Sequence, residues 1–112
     1  MTASAFDKSK LPSRYTTVGP ARAPHRAFLY AMGLSSEEIA QPLVGVASCW
    51  NEAAPCNISL MRQAQVVKKG VASAKGTPRE FCTITVTDGI AMGHQGMKAS
   101  LASRDLIADS VE

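Results

Sequence analysis

The sequence holds no CxxC pair, and its three cysteines, Cys49, Cys56 and Cys82, are an odd number. This argues against a disulfide framework, and a reducing, cytoplasmic setting is expected. Aromatic residues are scarce at 5%, too few for a base-stacking surface. The 12 Lys and Arg are scattered, so a net charge of +3 leaves no basic run that points to nucleic acid. No apolar run approaches the roughly 18 residues a membrane-spanning helix needs. The opening MTASAFDKSKLPSRY lacks the apolar core of a signal peptide. Residues 1–12 are expected to be a disordered lead-in. What is present is ordinary for a globular chain. Its 112 residues are 46% hydrophobic and 19% charged, enough for one small domain.

Apolar patterning gives the elements. Arg22 to Met32 reads as a first helix, with Pro24 in its opening turn and Gly33 closing it. Ser35 and Glu38 have capping-box spacing, flanked by Leu34 and Ile39 as a hydrophobic staple, and Pro42 stops that short helix. LVGVAS, residues 43–48, is nearly continuous in apolar character and suits a strand covered on both faces. Leu60, Ala64, Val67, Val71 and Ala74 make one apolar stripe of a helix over 58–75. Asn57 or Ser59 can cap its start, and Lys68, Lys69 and Lys75 gather toward its end. Gly76 and Pro78 close it. Residues 81–87 read as a second buried strand. Leu101 to Val111 is a final helix with Ser100 or Ser103 as its cap.

Strand, helix and strand then form a right-handed βαβ unit of a parallel sheet. This predicts an α/β fold, part of a three-layer α/β/α domain with a mainly parallel sheet, incomplete at the C-terminus. Ligands of open α/β sheets bind outside the C-terminal strand ends. Two loops should therefore share one edge. The first carries Trp50, Asn51, Glu52 and Cys56. The second begins at Asp88 and runs through Gly89, Gly93, His94, Gln95, Gly96 and Lys98.

A strand that ends on a carboxylate and opens into a glycine-rich loop can hold a metal ion or a phosphate. The same pattern also fits a strand, a tight turn and a helix with no chemistry. Cys56 lies in a polar loop ahead of a helix N-terminus, where a thiolate is favoured. Cys49 and Cys82 lie in apolar runs and are expected to be small buried hydrophobes. A thiolate suits iron–sulfur or zinc, and a carboxylate suits magnesium or manganese. His94 can line a pocket or make a structural hydrogen bond. Lys98 can neutralise a substrate carboxylate or stay solvated. Asn51 and Glu52 can order the loop around Cys56. Trp50 is expected to pack, and His25, Arg22 and Arg26 to form a basic helix face.

The phrases PARAPHR, WNEAAPCN and TDGIAMGHQGM, with SLASRDLIADSVE after them, resemble the N-terminal part of dihydroxy-acid dehydratases. These belong to a superfamily that also holds phosphogluconate and sugar-acid dehydratases. The resemblance runs from about Ser13 to Glu112. It implies dehydration of 2,3-dihydroxy carboxylic acids to 2-keto acids, a late step of valine and isoleucine synthesis. It also implies an iron–sulfur cluster, [2Fe–2S] or alternatively [4Fe–4S], a magnesium ion and a homodimeric full-length enzyme. By this resemblance Cys56 matches a cluster cysteine in the PCN motif, and Asp88 matches a magnesium carboxylate in the TDGI motif.

Cys49 and Cys82 depart from the family pattern and match no ligand. The further cluster cysteines, the remaining magnesium ligands and the serine base of the family lie beyond Glu112. No catalytic residue is therefore expected within this chain, which reads as a fragment inactive alone. Two other readings stand beside it: a fragment of a sugar-acid or phosphogluconate-type dehydratase, and a stand-alone non-catalytic module.

Overall fold

The run LVGVAS forms strand β1 (Leu43–Ser48) in the computed structural model, which describes residues 6–112. Strand β2 is Thr77–Cys82. Thr77 N–H donates to Pro42 O at 2.8 Å and Thr83 N–H to Ser48 O at 2.8 Å. Both partners advance by the same step, so the strands are parallel, and among the described residues they make a two-stranded open sheet. The α/β class and the parallel pairing are as the sequence indicates.

The second strand begins earlier than its apolar run. It was expected over 81–87 and lies at 77–82. Pairing decides this, because β1 ends at Ser48 and Thr83 meets the last rung. Residues 84–87 continue past that end without strand structure. Pro78 inside β2 is tolerated for a geometric reason. Thr77 and Thr83 both donate toward β1, and the pleat has period two. The N–H that Pro78 lacks therefore belongs to the outward phase, on the free edge.

Among the described residues six α-helices accompany the sheet: α1 (Arg14–Thr17), α2 (Ala23–Ala31), α3 (Ser36–Ala40), α4 (Leu60–Ser73), α5 (Asp88–Ala91) and α6 (Ser100–Val111). Contacts group the chain into two compact units.

The first unit holds the chain up to Gly45 together with Val67–Arg79. Of the lead-in, residues 1–5 lie outside the described residues. Lys8–Lys10 form a 3-10 turn, and Lys8 Nζ donates to Gln41 O at 2.7 Å. The Ser35–Glu38 capping box is present in both directions, with Leu34 and Ile39 buried on either side of it. Thr77 is fully buried. Its hydroxyl donates to Glu38 O at 2.5 Å, a second bond to the carbonyl that also accepts the Gln41 N–H at the end of α3. Arg26 was expected on an open basic face. Its Nη1 instead donates to Thr17 O at 2.9 Å and Gly19 O at 2.8 Å, clasping the turn where Gly19 has φ +97°.

Two helices in this unit end alike. After α2, Leu34 N–H reaches Leu29 O and Gly33 N–H reaches Tyr30 O, with Gly33 at φ +94°. After α4, Gly76 N–H reaches Val71 O and Lys75 N–H reaches Ala72 O. Both are Schellman closures. In the second, Lys75 takes the left-handed position at φ +66°. Gly76 follows it because a Cβ there would stand 2.9 Å from Val71 Cγ1 and 3.2 Å from Val44 Cγ2. The glycine is needed for close approach of the chain to β1, and not for closure.

The second unit holds Val46–Val66 and Glu80–Glu112. Its buried apolar side chains are Val46, Ala54 and Ala64, and its buried polar ones are Asn57 and Ser100. Cover on both faces of the strands was expected. Among the described residues Val46 is the buried side chain of β1, and Phe81, Cys82 and Ile84 are exposed. The expectation that Cys82 is buried is thus corrected. Leu101 and Leu106 on α6 are exposed as well, at 67% and 70%.

Candidate functional site

Because β1 and β2 are parallel neighbours, the segments that follow them leave the sheet at the same edge. After β1 comes the loop with Trp50, Asn51, Glu52 and Cys56. After β2 come Thr85, Asp88 and the glycine loop. All of these lie within the second unit, so the candidate residues belong to one compact body.

The first loop is built on buried side chains. Asn51 Oδ1 accepts the Ala53 N–H at 2.7 Å, an Asx turn that folds the chain back. Ala54 is buried, and Pro55–Asn57 form a 3-10 turn. Asn57 was one of two candidate helix caps, with Ser59. It is buried instead, and its Nδ2 donates to Cys49 O at 2.8 Å and Cys49 Sγ at 3.0 Å. Asn57 faces inward, while its neighbour Cys56 is exposed. Cys56 lies ahead of a helix, as the sequence indicates. It sits mid-way in the 3-10 turn, and α4 opens only at Leu60. Glu52 is exposed and Trp50 half-buried.

The second segment is tied to the first. Thr85 Oγ1 donates to Cys49 O at 2.7 Å, the same carbonyl that Asn57 uses. One oxygen thus joins the loop carrying Cys56 to the segment after β2 that leads to Asp88. Asp88 opens α5 and is exposed. Its Oδ1 accepts a hydrogen bond from the hydroxyl of Ser100. Ser100 was one of two candidate caps of the last helix, with Ser103. It is instead buried in the first turn of α6, with Ala99 at the cap position and no side-chain cap bond.

Between them the glycine loop is shaped by His94. Its Nδ1 accepts the Gly96 N–H at 2.9 Å and caps the 3-10 turn Gln95–Ala99. A neutral ring in this geometry carries its proton on Nε2. A Cβ on Gly96 would stand 2.6 Å from His94 Cε1 and would displace the ring from this position. Lys98 lies in that turn and is exposed.

The structure therefore presents an exposed thiol and an exposed carboxylate from loops of one sheet edge, with His94 and Lys98 in the glycine loop. No pattern in the residues signals the Cys49 carbonyl as a hub, Thr85 as its second donor, or Ser100 as the partner of Asp88. Side-chain hydrogen bonds across 12 to 36 residues leave no periodic trace. Among the described residues no three His, Cys, Asp or Glu converge as a metal-binding set.

A family model described as the N-terminal region of dihydroxy-acid/6-phosphogluconate dehydratases matches residues 41–112. The match takes in both loops and both strands. The chain belongs to this family. It is 84% identical over all 112 residues to dihydroxy-acid dehydratase 2 of Mesorhizobium japonicum, covering 19% of that protein. It is 81% identical over the same length to dihydroxy-acid dehydratase of Parvibaculum lavamentivorans, again covering 19%. A dihydroxy-acid dehydratase of Sulfurisphaera tokodaii is 57% identical over 94 residues, 84% of this chain and 17% of its relative. The chain thus spans about one fifth of the length of the curated relatives it matches. That proportion accords with the exposed apolar side chains Phe28, Ile84, Met92 and Leu106.

Proposed function

We propose that the chain carries the N-terminal region of an enzyme that dehydrates 2,3-dihydroxy carboxylic acids to 2-keto acids, serving valine and isoleucine synthesis. The observation that carries this reading is the matched region itself. Its two loops offer a thiol, Cys56, and a carboxylate, Asp88, at one edge of a parallel sheet.

The donor chemistry fits the two groups the family implies. Cys56 is a soft donor of the kind that holds cluster iron, and Asp88 a hard donor of the kind that holds magnesium. Each is a single donor, so the other ligands would come from elsewhere in the full-length enzyme. When bound, the cluster and the ion would supply Lewis acidity at the leaving hydroxyl and at the substrate carboxylate. This chain's own residues would hold and orient. Cys56 and Asp88 would each give one ligand atom. Nε2–H of His94 could donate to a substrate oxygen, and Lys98 could face a substrate carboxylate. Asn51, Asn57 and Thr85 would keep the loops in place.

The test uses the full-length enzyme, with Cys56→Ser and Asp88→Asn variants. The expected result is 2-keto acid formation from a branched 2,3-dihydroxy acid. Cys56→Ser should lose visible cluster absorbance, and Asp88→Asn should lose magnesium binding and activity while keeping the cluster. Preference for a sugar acid or its phosphate would move the enzyme to the sugar-acid branch of the family. Full activity in both variants would overturn the site.

A further inference from the structure

We infer that Ser100 is a positioning residue for Asp88, its buried hydroxyl fixing the carboxylate so that Oδ2 is the oxygen offered to a divalent cation. The inference rests on the reading of Asp88 as a magnesium carboxylate.

Serine at the start of a helix usually spends its hydroxyl on the helix's own N–H groups. Ser100 does not. It is 4% exposed, in the first turn of α6, and its hydroxyl donates to Asp88 Oδ1, 12 residues earlier. Asp88 itself is exposed. A buried, rigid donor thus reaches out to an exposed, otherwise rotatable acceptor.

That arrangement has chemical content. The two oxygens of a free carboxylate are equivalent and exchange by rotation of the side chain. A hydrogen bond to one of them removes the equivalence and orders the group before a ligand arrives. The donor is also neutral. Lysine or arginine in its place would order the carboxylate equally well, but would cancel the charge that attracts a cation. A hydroxyl orders it and leaves the charge intact. Magnesium demands near-ideal octahedral geometry, so a ligand oxygen with a fixed direction matters more for it than for a tolerant ion.

The intervening loop is shaped to allow the contact. Gly93 takes φ +85°, and the His94 ring closes on the Gly96 N–H. These turns bring α6 back so that its first residue meets the first residue of α5.

The test titrates Mn2+, as a magnesium probe, into metal-free full-length enzyme and counts free Mn2+ by electron paramagnetic resonance. Ser100→Ala should weaken binding about tenfold or more. Ser100→Thr, which keeps the hydroxyl, should restore it to within about threefold. If Ser100→Ala does not fold, Ser100→Cys keeps the volume with a much weaker donor and should show the same loss. Binding within twofold of the parent in the folded Ala or Cys variant overturns the inference. So does an equal loss in Ser100→Thr, which would mean that packing alone matters. Asp88→Asn separates the two levels. If it leaves Mn2+ affinity unchanged, the reading of Asp88 fails; if it abolishes binding while Ser100→Ala does not weaken it, only the role of Ser100 fails.

Discussion

The side-chain amide of Asn57 donates to two atoms of Cys49, the carbonyl oxygen at 2.8 Å and the sulfur at 3.0 Å. The pair closes the loop after β1 from the inside, and Thr85 adds a third bond to the same residue from the segment that follows β2. The exposed position of Cys56 depends on its neighbour facing the other way.

Asn57→Asp tests this. The replacement has the same shape but no proton to give, and it sets a charge against a carbonyl oxygen. Destabilisation of about 2 kcal/mol or more is expected, read as a lowered urea midpoint. Thr85→Val removes one donor and should cost about 1 kcal/mol. Equal midpoints for Asn57→Asp and parent would show that the loop closes by other means.

Lys75 and Gly76 make opposite predictions for one substitution type. Lys75 pays the left-handed penalty, so Lys75→Gly should stabilise by about 0.5–1 kcal/mol. Gly76→Ala should destabilise by about 1–3 kcal/mol, because its Cβ meets Val71 and Val44. Thermal melting of the two variants against the parent decides it. The same sign for both would refute the division of roles.

These positions also show what the sequence made legible. LVGVAS gave β1 to the residue, since a continuous apolar run has one use at that length. Ser35 with Glu38 announced a capping box because both partners lie within one helical turn. The stripe from Leu60 to Ala74 marked α4. The βαβ order then placed Cys56 and Asp88 at one edge. What failed depended on partners distant in sequence. Residues 84–87 look like strand but run past the end of β1. Thr77 looks like loop, yet it is the buried anchor between α3 and β2. Cys82 looks like core, but it is exposed. Ser100 looks like a cap, and its hydroxyl goes to Asp88.

Lys8 gives a pH dependence. Burial holds its pKa below the ordinary lysine value of 10.5. Between the lowered folded value and 10.5 the unfolded chain binds more protons, so folding stability rises with pH across that window. Lys8→Gln should flatten this rise on the alkaline side, measured as urea midpoints at neutral and alkaline pH. A slope unchanged by the substitution would rule out Lys8 as its source.

The isolated 112-residue chain is expected to form no stable iron–sulfur cluster and to dehydrate no 2,3-dihydroxy acid. Cys56 alone of its cysteines matches a cluster ligand, and Asp88 alone would leave magnesium mostly hydrated. Anaerobic reconstitution with iron and sulfide, followed by visible absorbance and 2-keto acid assay, checks this. Stoichiometric cluster absorbance with turnover would refute it.

Pro78 reaches beyond its own strand. The outer rail of β2 has one rung missing, since the proline nitrogen carries no hydrogen there. A strand laid along that rail from any source, the same protein or a stray copy, meets one place where its carbonyl finds no donor. It must bulge, stop short or leave that oxygen to water. The exposed Phe81 and Ile84 nearby would otherwise make this edge an inviting template for self-association. A single imino acid, silent within the β1–β2 pair, thus acts as a gatekeeper that makes the register of any added strand selective.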